Sequence, residues 1–190
     1  MPRLFTALEL PQAVRLHLSM IRAPINGAKW VEAENMHITL RFAGDVDERT
    51  ADDFADRLRD IRAEPLQITI VGVGAFAGRE ARVLWAGVEA GAALDQLYRA
   101  NERAARAAGL EPDPRAFKPH VTLARARGVR PRLAARFLQE NAGLRLLPFL
   151  VPRFVLLSAR PGSGGPPYAL EEAYPFAEAI RLDASEAPVR

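Results

Sequence analysis

The hydrophobic positions of this chain follow two kinds of periodic pattern. Stretches with a two-residue alternation or a short apolar run are typical of strands, and stretches with apolar residues every three or four positions are typical of amphipathic helices. The predicted strands are 3–10, 28–31, 36–44, 66–77, 81–89, 119–127, 149–161 and 167–177. The predicted helices are 11–22, which opens at Pro11, 45–63, 91–109, which ends at Gly109, and 131–141. The pattern therefore predicts a mixed α+β fold.

The order of these elements predicts a loose internal repeat. Strand, helix, strand, helix and two strands come first, and helix, strand, helix and two strands follow. Two such units related by a pseudo-two-fold axis would bring equivalent strands to one shared cleft. We expect a single domain over residues 1–180 and a flexible tail over 181–190.

Composition excludes several kinds of chemistry. The 190 residues include no cysteine, so a disulfide framework, a Cys-based metal site and a thiol nucleophile are all excluded. The net charge is +3, and Lys29 and Lys118 are the only lysines, so nearly all the positive charge is arginine. This charge permits nucleic-acid binding without requiring it. Neither a secretory signal nor a stretch that could span a bilayer is apparent, and we expect a cytoplasmic protein.

Two of the three histidines stand in the same four-residue frame, HITL at 37–40 and HVTL at 120–123. Side chains alternate between the two faces of a strand, so His37 and Thr39 should share one face, as should His120 and Thr122. The intervening apolar residues should anchor each box in the core. Thr is rare in this chain, at positions 6, 39, 50, 69 and 122, so two His-x-Thr frames are improbable by chance.

Paired imidazoles facing one substrate suit general acid–base catalysis. A metal site is the weaker alternative, because the boxes offer only two histidines and two hydroxyls. A Ser-His-Asp arrangement is also weak, because no Ser lies in a nucleophile elbow. One neutral His can take a proton from water while the other protonates a leaving oxygen. A strained cyclic phosphodiester is a suitable substrate, with Thr39 and Thr122 donating hydrogen bonds to its non-bridging oxygens.

The boxes and their surroundings resemble a known family. The segments RLFTALELP, KWVEAENMHITLRFAGDV, GVGAFAGREARVLWAGVE and FKPHVTLARAR are similar to those of the two-histidine (2H) phosphoesterases. Within that superfamily they resemble the bacterial and archaeal RNA 2′,3′-cyclic phosphodiesterases, also called 2′-5′ RNA ligase-like proteins. The resemblance runs over roughly residues 3–177.

The resemblance implies a bilobal fold, a duplicated α+β unit with two antiparallel sheets around a central cleft and helices on the outside. It implies hydrolysis of RNA 2′,3′-cyclic phosphate ends to 2′-phosphate without metal or other cofactor, and reversible 2′-5′ RNA ligation in some members. By the family's usual assignment His37 is the proton donor and His120 the proton acceptor. The residues themselves leave those two roles open.

Further site residues follow from the resemblance and from alternation. Arg125 matches a family arginine that contacts the phosphate, although strict alternation would turn it away from His120 unless a bulge intervenes. Arg41 should alternate onto the face of His37 as a candidate substrate contact. Phe5 and Trp30 are candidates for stacking on a base, with core packing as their alternative. His17 lacks a Thr partner, and we interpret it as structural.

Two other functions remain open from the sequence. The same boxes would serve a 2H phosphoesterase acting on another small cyclic phosphate, such as ADP-ribose 1″,2″-cyclic phosphate. A non-catalytic RNA-binding module is the alternative from a different class. The expected partners are RNA ends or short oligonucleotides, with no membrane and no obligate protein partner, and the expected state is a monomer.

Overall fold

A computed structural model describes residues 1–77, 81–159 and 167–177 of the chain. The helices are α1 Gln12–Met20, α2 Glu48–Arg59, α3 Gly91–Ala107 and α4 Pro131–Glu140, and a single 3-10 turn covers Ala33–Asn35. The strands are β1 Arg3–Glu9, β2 Ala28–Trp30, β3 His37–Asp45, β4 Leu66–Ala77, β5 Ala81–Glu89, β6 His120–Val129, β7 Phe149–Val151, β8 Arg153–Ala159 and β9 Tyr168–Pro175. The α+β prediction is confirmed.

Differences from the predicted elements are confined to their ends and to one break. The predicted strand over 149–161 is divided into β7 and β8 at Pro152, which has no backbone N–H to donate to a ladder. The expected turn at 78–80, the expected loop at 162–166 and the expected tail at 181–190 lie outside the described residues.

The strands form two antiparallel groups that meet at one point. The order is β7-β4-β5-β6-β3-β1-β8-β9, and β2 adds to β6 as a side branch. Between β6 and β3, one residue pair, Ile38 opposite Val121, carries the register. This junction divides the curled sheet into a β3-β1-β8-β9 group and a β6-β5-β4-β7 group, which form the two lobes.

The repeat seen in the sequence does not coincide with the lobes. The first half of the chain contributes β4 and β5 to the group that contains β6, and the second half contributes β8 and β9 to the group that contains β3. Each half therefore donates its last two strands to the lobe of the other half.

The helices cover one face of the sheet and leave the other face open. Helix α2 packs against α3 and β9, α3 packs against β3, and α4 packs against β4 and β5. Their apolar stripes, such as Phe54 and Leu58 on α2, join the inward side chains of the strands in one core. Among the helices of the described residues, none is long and apolar enough to cross a membrane.

Candidate active site

The two boxes place their His and Thr side chains on the open face of the sheet. In both 37–40 and 120–123, the first and third residues are partly exposed and the second and fourth are buried. Ile38 and Val121 are fully buried, and they anchor their strands in the core. The expected alternation is confirmed in both boxes.

The boxes lie side by side because they occupy the junction of the two lobes. Ile38 is directly opposite Val121 in an antiparallel pair. Continuing that register by one residue each way sets His37 across from Thr122, and Thr39 across from His120. Each imidazole therefore neighbours the hydroxyl of the other box on the same face.

Both imidazoles are held by the same backbone contact. Nδ1–H of His37 donates to the carbonyl oxygen of Asn35 at 2.8 Å, and Nδ1–H of His120 donates to that of Lys118 at 2.7 Å. Because a carbonyl can only accept, the proton of each neutral ring resides on Nδ1. Nε2, which has no hydrogen-bond partner in the described part of the chain, is left as the nitrogen that can exchange protons with a substrate.

The surroundings of both rings favour the neutral imidazole. Burial lowers the pKa of His37, the Asn35 carbonyl partly offsets this, and the positive charges of Arg125 and of a protonated His120 lower the pKa further. Burial also lowers the pKa of His120, against the Lys118 carbonyl, and the charges of Lys118 and Arg115 act in the same direction as burial. Without an anion in the site, both rings release their second proton more readily than an exposed histidine does.

Aromatic side chains frame His37. The ring of Phe5 lies 5.1 Å from that of His37, and Tyr168 stands edge-on at 5.3 Å. Phe5 is only 3% exposed, so the structure places it beside the imidazole as packing rather than as an open platform for a base. The sequence reasoning missed Tyr168, which arrives from β9 in the second half of the chain.

A second aromatic pair frames His120. Phe76 meets the imidazole edge-on at 4.8 Å, and Trp85 lies 6.3 Å away. The Lys118 ammonium lies over Trp85 at 4.6 Å, which holds a positive charge close to His120. Gly74 makes room for the indole, since a Cβ there would lie 2.2 Å from Cζ2 of Trp85. No sequence motif pointed to these contacts.

A bulge in β6 turns Arg125 onto the open face. Thr122 pairs with Trp85 and Ala124 with Leu84, so Leu123 has no partner in β5. Both Leu123 and Ala124 are buried, and Arg125 is exposed on the side of His120 and Thr122. The bulge that alternation required is present. The positive charge of Arg125 lies close enough to His37 to lower its pKa.

The matching bulge in β3 has the opposite consequence for Arg41. Thr39 pairs with Ala7 and Arg41 with Thr6, so the intervening Leu40 is unpaired. Arg41 is therefore turned into the core, where it is 4% exposed, and Phe42 takes the place on the open face, 40% exposed. The expectation that Arg41 shares the face of His37 does not hold, because simple alternation ignores the extra residue.

Arg41 holds together the wall beside the site. Its guanidinium forms an ion pair with Glu102 on α3 and donates to the carbonyl oxygens of Phe42 and Glu111. Glu102 in turn accepts from the backbone N–H of Asp113 at 3.3 Å. The loop after α3 is thereby tied to the strand that carries His37.

Comparison with known proteins agrees with this geometry. The model of the family described as LigT like phosphoesterase matches residues 8–85 and 87–168. The chain belongs to the LigT-like phosphoesterase family. Among relatives, it is 45% identical over 104 residues to the RNA 2′,3′-cyclic phosphodiesterase of Aeropyrum pernix, a match covering 54% of this chain and 59% of that protein. It is 37% identical to the protein of that name from Methanothermobacter thermautotrophicus, covering 68% and 74%.

Solved structures of LigT-like phosphoesterases share the fold. A crystal structure of a protein from Thermus thermophilus superimposes with a TM-score of 0.75 at 28% identity, covering 92% of this chain and 97% of that one. Escherichia coli LigT complexed with 3′-AMP gives a TM-score of 0.74 at 24% identity, covering 93% and 99%. The bilobal α+β architecture is thus that of the LigT-like family.

Two sequence candidates lie away from the site of this LigT-like protein. Trp30 packs edge-on against Phe137 of α4 at 5.4 Å, and its Nε1–H donates to the Ala23 carbonyl at 3.0 Å. His17 is exposed on α1. In the described ranges, His, Asp and Glu side chains nowhere gather in groups of three that could hold a metal ion.

Proposed function

We propose that this protein is a metal-independent phosphodiesterase that opens the 2′,3′-cyclic phosphate at RNA ends and leaves a 2′-phosphate. The observation that carries the proposal is the matched pair of imidazoles, each with Nδ1–H fixed to a carbonyl and Nε2 available to a substrate. The names of the relatives support the choice of substrate.

The proposed step is an in-line displacement at phosphorus. A water oxygen bonds to phosphorus while its proton passes to Nε2 of His120. The bond between phosphorus and O3′ breaks, and Nε2–H of His37 protonates O3′. Exchange with solvent restores both rings. Thr39, Thr122 and Arg125 stabilise the charge on the non-bridging oxygens.

Charge supports His120 as the acceptor and His37 as the donor. Burial, aided by the Lys118 ammonium, lowers the pKa of His120, which keeps that ring neutral and able to accept a proton. Burial also lowers the pKa of His37, and the positive charge of Arg125 lowers it further. The contribution of Arg125 disappears when an anion neutralises its charge. A bound phosphate anion pairs with Arg125 and favours the protonated form of His37.

The test is hydrolysis of 2′,3′-cyclic AMP in EDTA by wild type, His37→Ala and His120→Ala, with the products separated by chromatography. We expect 2′-AMP from the wild type and a loss of about 10²–10⁴-fold in each variant. His17→Ala is the matched control, because this third histidine is exposed on α1. A 3′-phosphate product, or turnover by either variant close to wild type, would contradict the proposal.

Related activities and properties follow from the same proposal. If the 5′-hydroxyl of a second RNA replaces water as the nucleophile, its oxygen bonds to phosphorus, O3′ leaves, and a 2′-5′ bond forms, which gel analysis of two labelled RNA ends would detect. Parallel assays on ADP-ribose 1″,2″-cyclic phosphate test whether this protein acts on RNA ends or on another small cyclic phosphate.

The cytoplasmic location, the monomeric state, the absence of an obligate protein partner and the domain boundary at 1–180 stay predictions.

A further inference from the structure

A line of unpaired cations leads away from the histidine pair along the edge of the sheet. Lys29 on β2 is directly opposite Arg125 on β6, and Arg127 follows two residues later. All three residues are exposed. Since residues two apart share a face of a strand, Arg127 lies on the same face as Arg125, about 6.8 Å further along.

No ion pair of the described residues neutralises this line of cations. Elsewhere several arginines, although not all, reach carboxylates, as Arg3 reaches Asp45 at 2.6 Å and Arg153 reaches Glu9 at 2.7 Å. Lys29, Arg125 and Arg127 have no side-chain hydrogen bond or ion pair with any residue that the structure describes. Like charges directly opposite in a sheet are destabilising, and a bound anion would relieve that repulsion.

The backbone beneath the cations is held firmly. Arg127 N–H donates to the Gly27 carbonyl at 2.8 Å, and Gly27 has φ +88°. A Cβ at Gly27 would lie 2.3 Å from the carbonyl oxygen of Arg127, so glycine allows the loop before β2 to close against β6. The loop and strand that carry Lys29 and Arg127 are therefore fixed relative to Arg125.

From this arrangement we infer that Lys29 and Arg127 form a subsite for the phosphodiester backbone of single-stranded RNA, next to the nucleotide that carries the cyclic phosphate. Arg125 holds the reacting phosphate beside His37, and the next phosphate of the strand lies between Lys29 and Arg127. The inference rests on the proposed function. It adds that the enzyme distinguishes an RNA end from a free cyclic mononucleotide, which has no second phosphate.

The experiment compares 2′,3′-cyclic AMP with a short single-stranded oligoribonucleotide ending in the same group. The double variant Lys29→Gln, Arg127→Gln is tested beside Arg99→Gln, which removes an exposed, unpaired arginine on α3. We expect the double variant to lower kcat/KM for the oligonucleotide relative to the mononucleotide, and Arg99→Gln to leave that ratio unchanged. Circular dichroism checks that each variant is folded.

Salt dependence provides the quantitative readout. Each neutralised phosphate of a single strand contributes about 0.7 to the slope of log affinity against log salt, so losing the one phosphate held between Lys29 and Arg127 lowers the slope of log KM by about 0.7. Over a fourfold increase in salt, this removes about a 2.6-fold change in oligonucleotide KM. The proposed subsite is contradicted if the double variant leaves the ratio of the two kcat/KM values and the salt slope unchanged. It is also contradicted if the double variant lowers kcat/KM equally on both substrates. If the wild-type protein hydrolyses neither the mononucleotide nor the oligonucleotide, the proposed function itself is refuted.

Discussion

Phe42 and Arg125 occupy equivalent positions in the two box strands. Each lies five residues after the histidine of its box, and each is turned onto the open face by a bulge at the last residue of the box. One position carries an aromatic ring and the other a cation. The symmetry of the two histidines is broken here, so the two sides of the site differ in charge and in polarity.

Arg125→Ala should impair both binding and turnover. The side chain is exposed on the face of the boxes and its charge reaches His37, so its loss removes a charged hydrogen-bond donor from the phosphate. A hydrogen bond to a charged group contributes about 1.5–3 kcal/mol, which corresponds to about 10- to 150-fold in kcat/KM. Steady-state kinetics on 2′,3′-cyclic AMP will measure it. Arg125→Lys should recover part of the loss, and an unimpaired Arg125→Ala would remove this residue from the site.

The two threonines should contribute less than the histidines. Thr39→Ala and Thr122→Ala each remove one hydroxyl donor, at an expected cost of about 10²–10³-fold in kcat at most. Thr→Ser at either position keeps the hydroxyl and should restore most of the rate. If Ser and Ala variants were equally slow, the hydroxyls would not be the groups that matter.

The pH dependence follows from the lowered pKa of both histidines. In the free enzyme, one ring must be protonated and the other neutral, and both lose their second proton below the ordinary value of about 6.5. The bell in kcat/KM should therefore have its maximum below about pH 6.5. The maximum of the bell-shaped profile of kcat should lie at a higher pH, because the bound phosphate raises the pKa of the donor histidine. A profile with a single limb between pH 5 and 9 would argue against paired roles.

The same pKa shifts affect stability. A histidine that resists protonation in the folded state binds fewer protons there than in the unfolded chain. The histidine's contribution to the free energy of unfolding is fully present above about pH 6.5. It is lost as the pH falls towards the pKa of the histidine in the folded protein. His37→Asn should flatten the decline in free energy of unfolding between neutral and acidic pH, as urea titrations will show.

Gly74→Ala should disturb the site through Trp85. The added methyl would meet the indole at 2.2 Å and displace it from its place beside His120 and Lys118. Overpacking of this kind costs about 1–3 kcal/mol of stability, and kcat should fall with it. Adding Trp85→Leu should recover stability. Gly143→Ala is the control, since a Cβ there meets nothing within 4 Å, and equal effects at both glycines would contradict this explanation.

Arg41→Ala should reduce stability more than most surface changes. The variant leaves Glu102 without its ion-pair partner and two carbonyls without a donor, and breaking a buried pair costs about 3–5 kcal/mol. Arg136→Ala removes an exposed pair with Glu140 within α4, and a solvent-exposed pair of this kind contributes little to stability. Thermal unfolding of both variants gives the comparison, and similar melting temperatures would show that the Arg41 network is not stabilising.

The sequence predicted the parts of the site that depend on local periodicity. The face of His37 and Thr39 follows from alternation within a few residues, and so does the need for a bulge before Arg125. The position of Arg41 could not be predicted in this way, because the bulge at Leu40 is visible only in the pairing of β3 with β1. Tyr168, Phe76 and Trp85 were missed for a similar reason, since strand pairing over long separations brings them to the histidines.

The exchange of strands between the lobes has a consequence for synthesis of the protein. β1 precedes the other described strands in the sequence and lies between β3 and β8, so its second edge stays open until β8 has been synthesised. An exposed strand edge invites pairing with other chains, and such long-range closure is slow. A nascent chain that ends after β5 therefore cannot complete either lobe, and the face that carries both histidines forms only after β6 and β8 have been added.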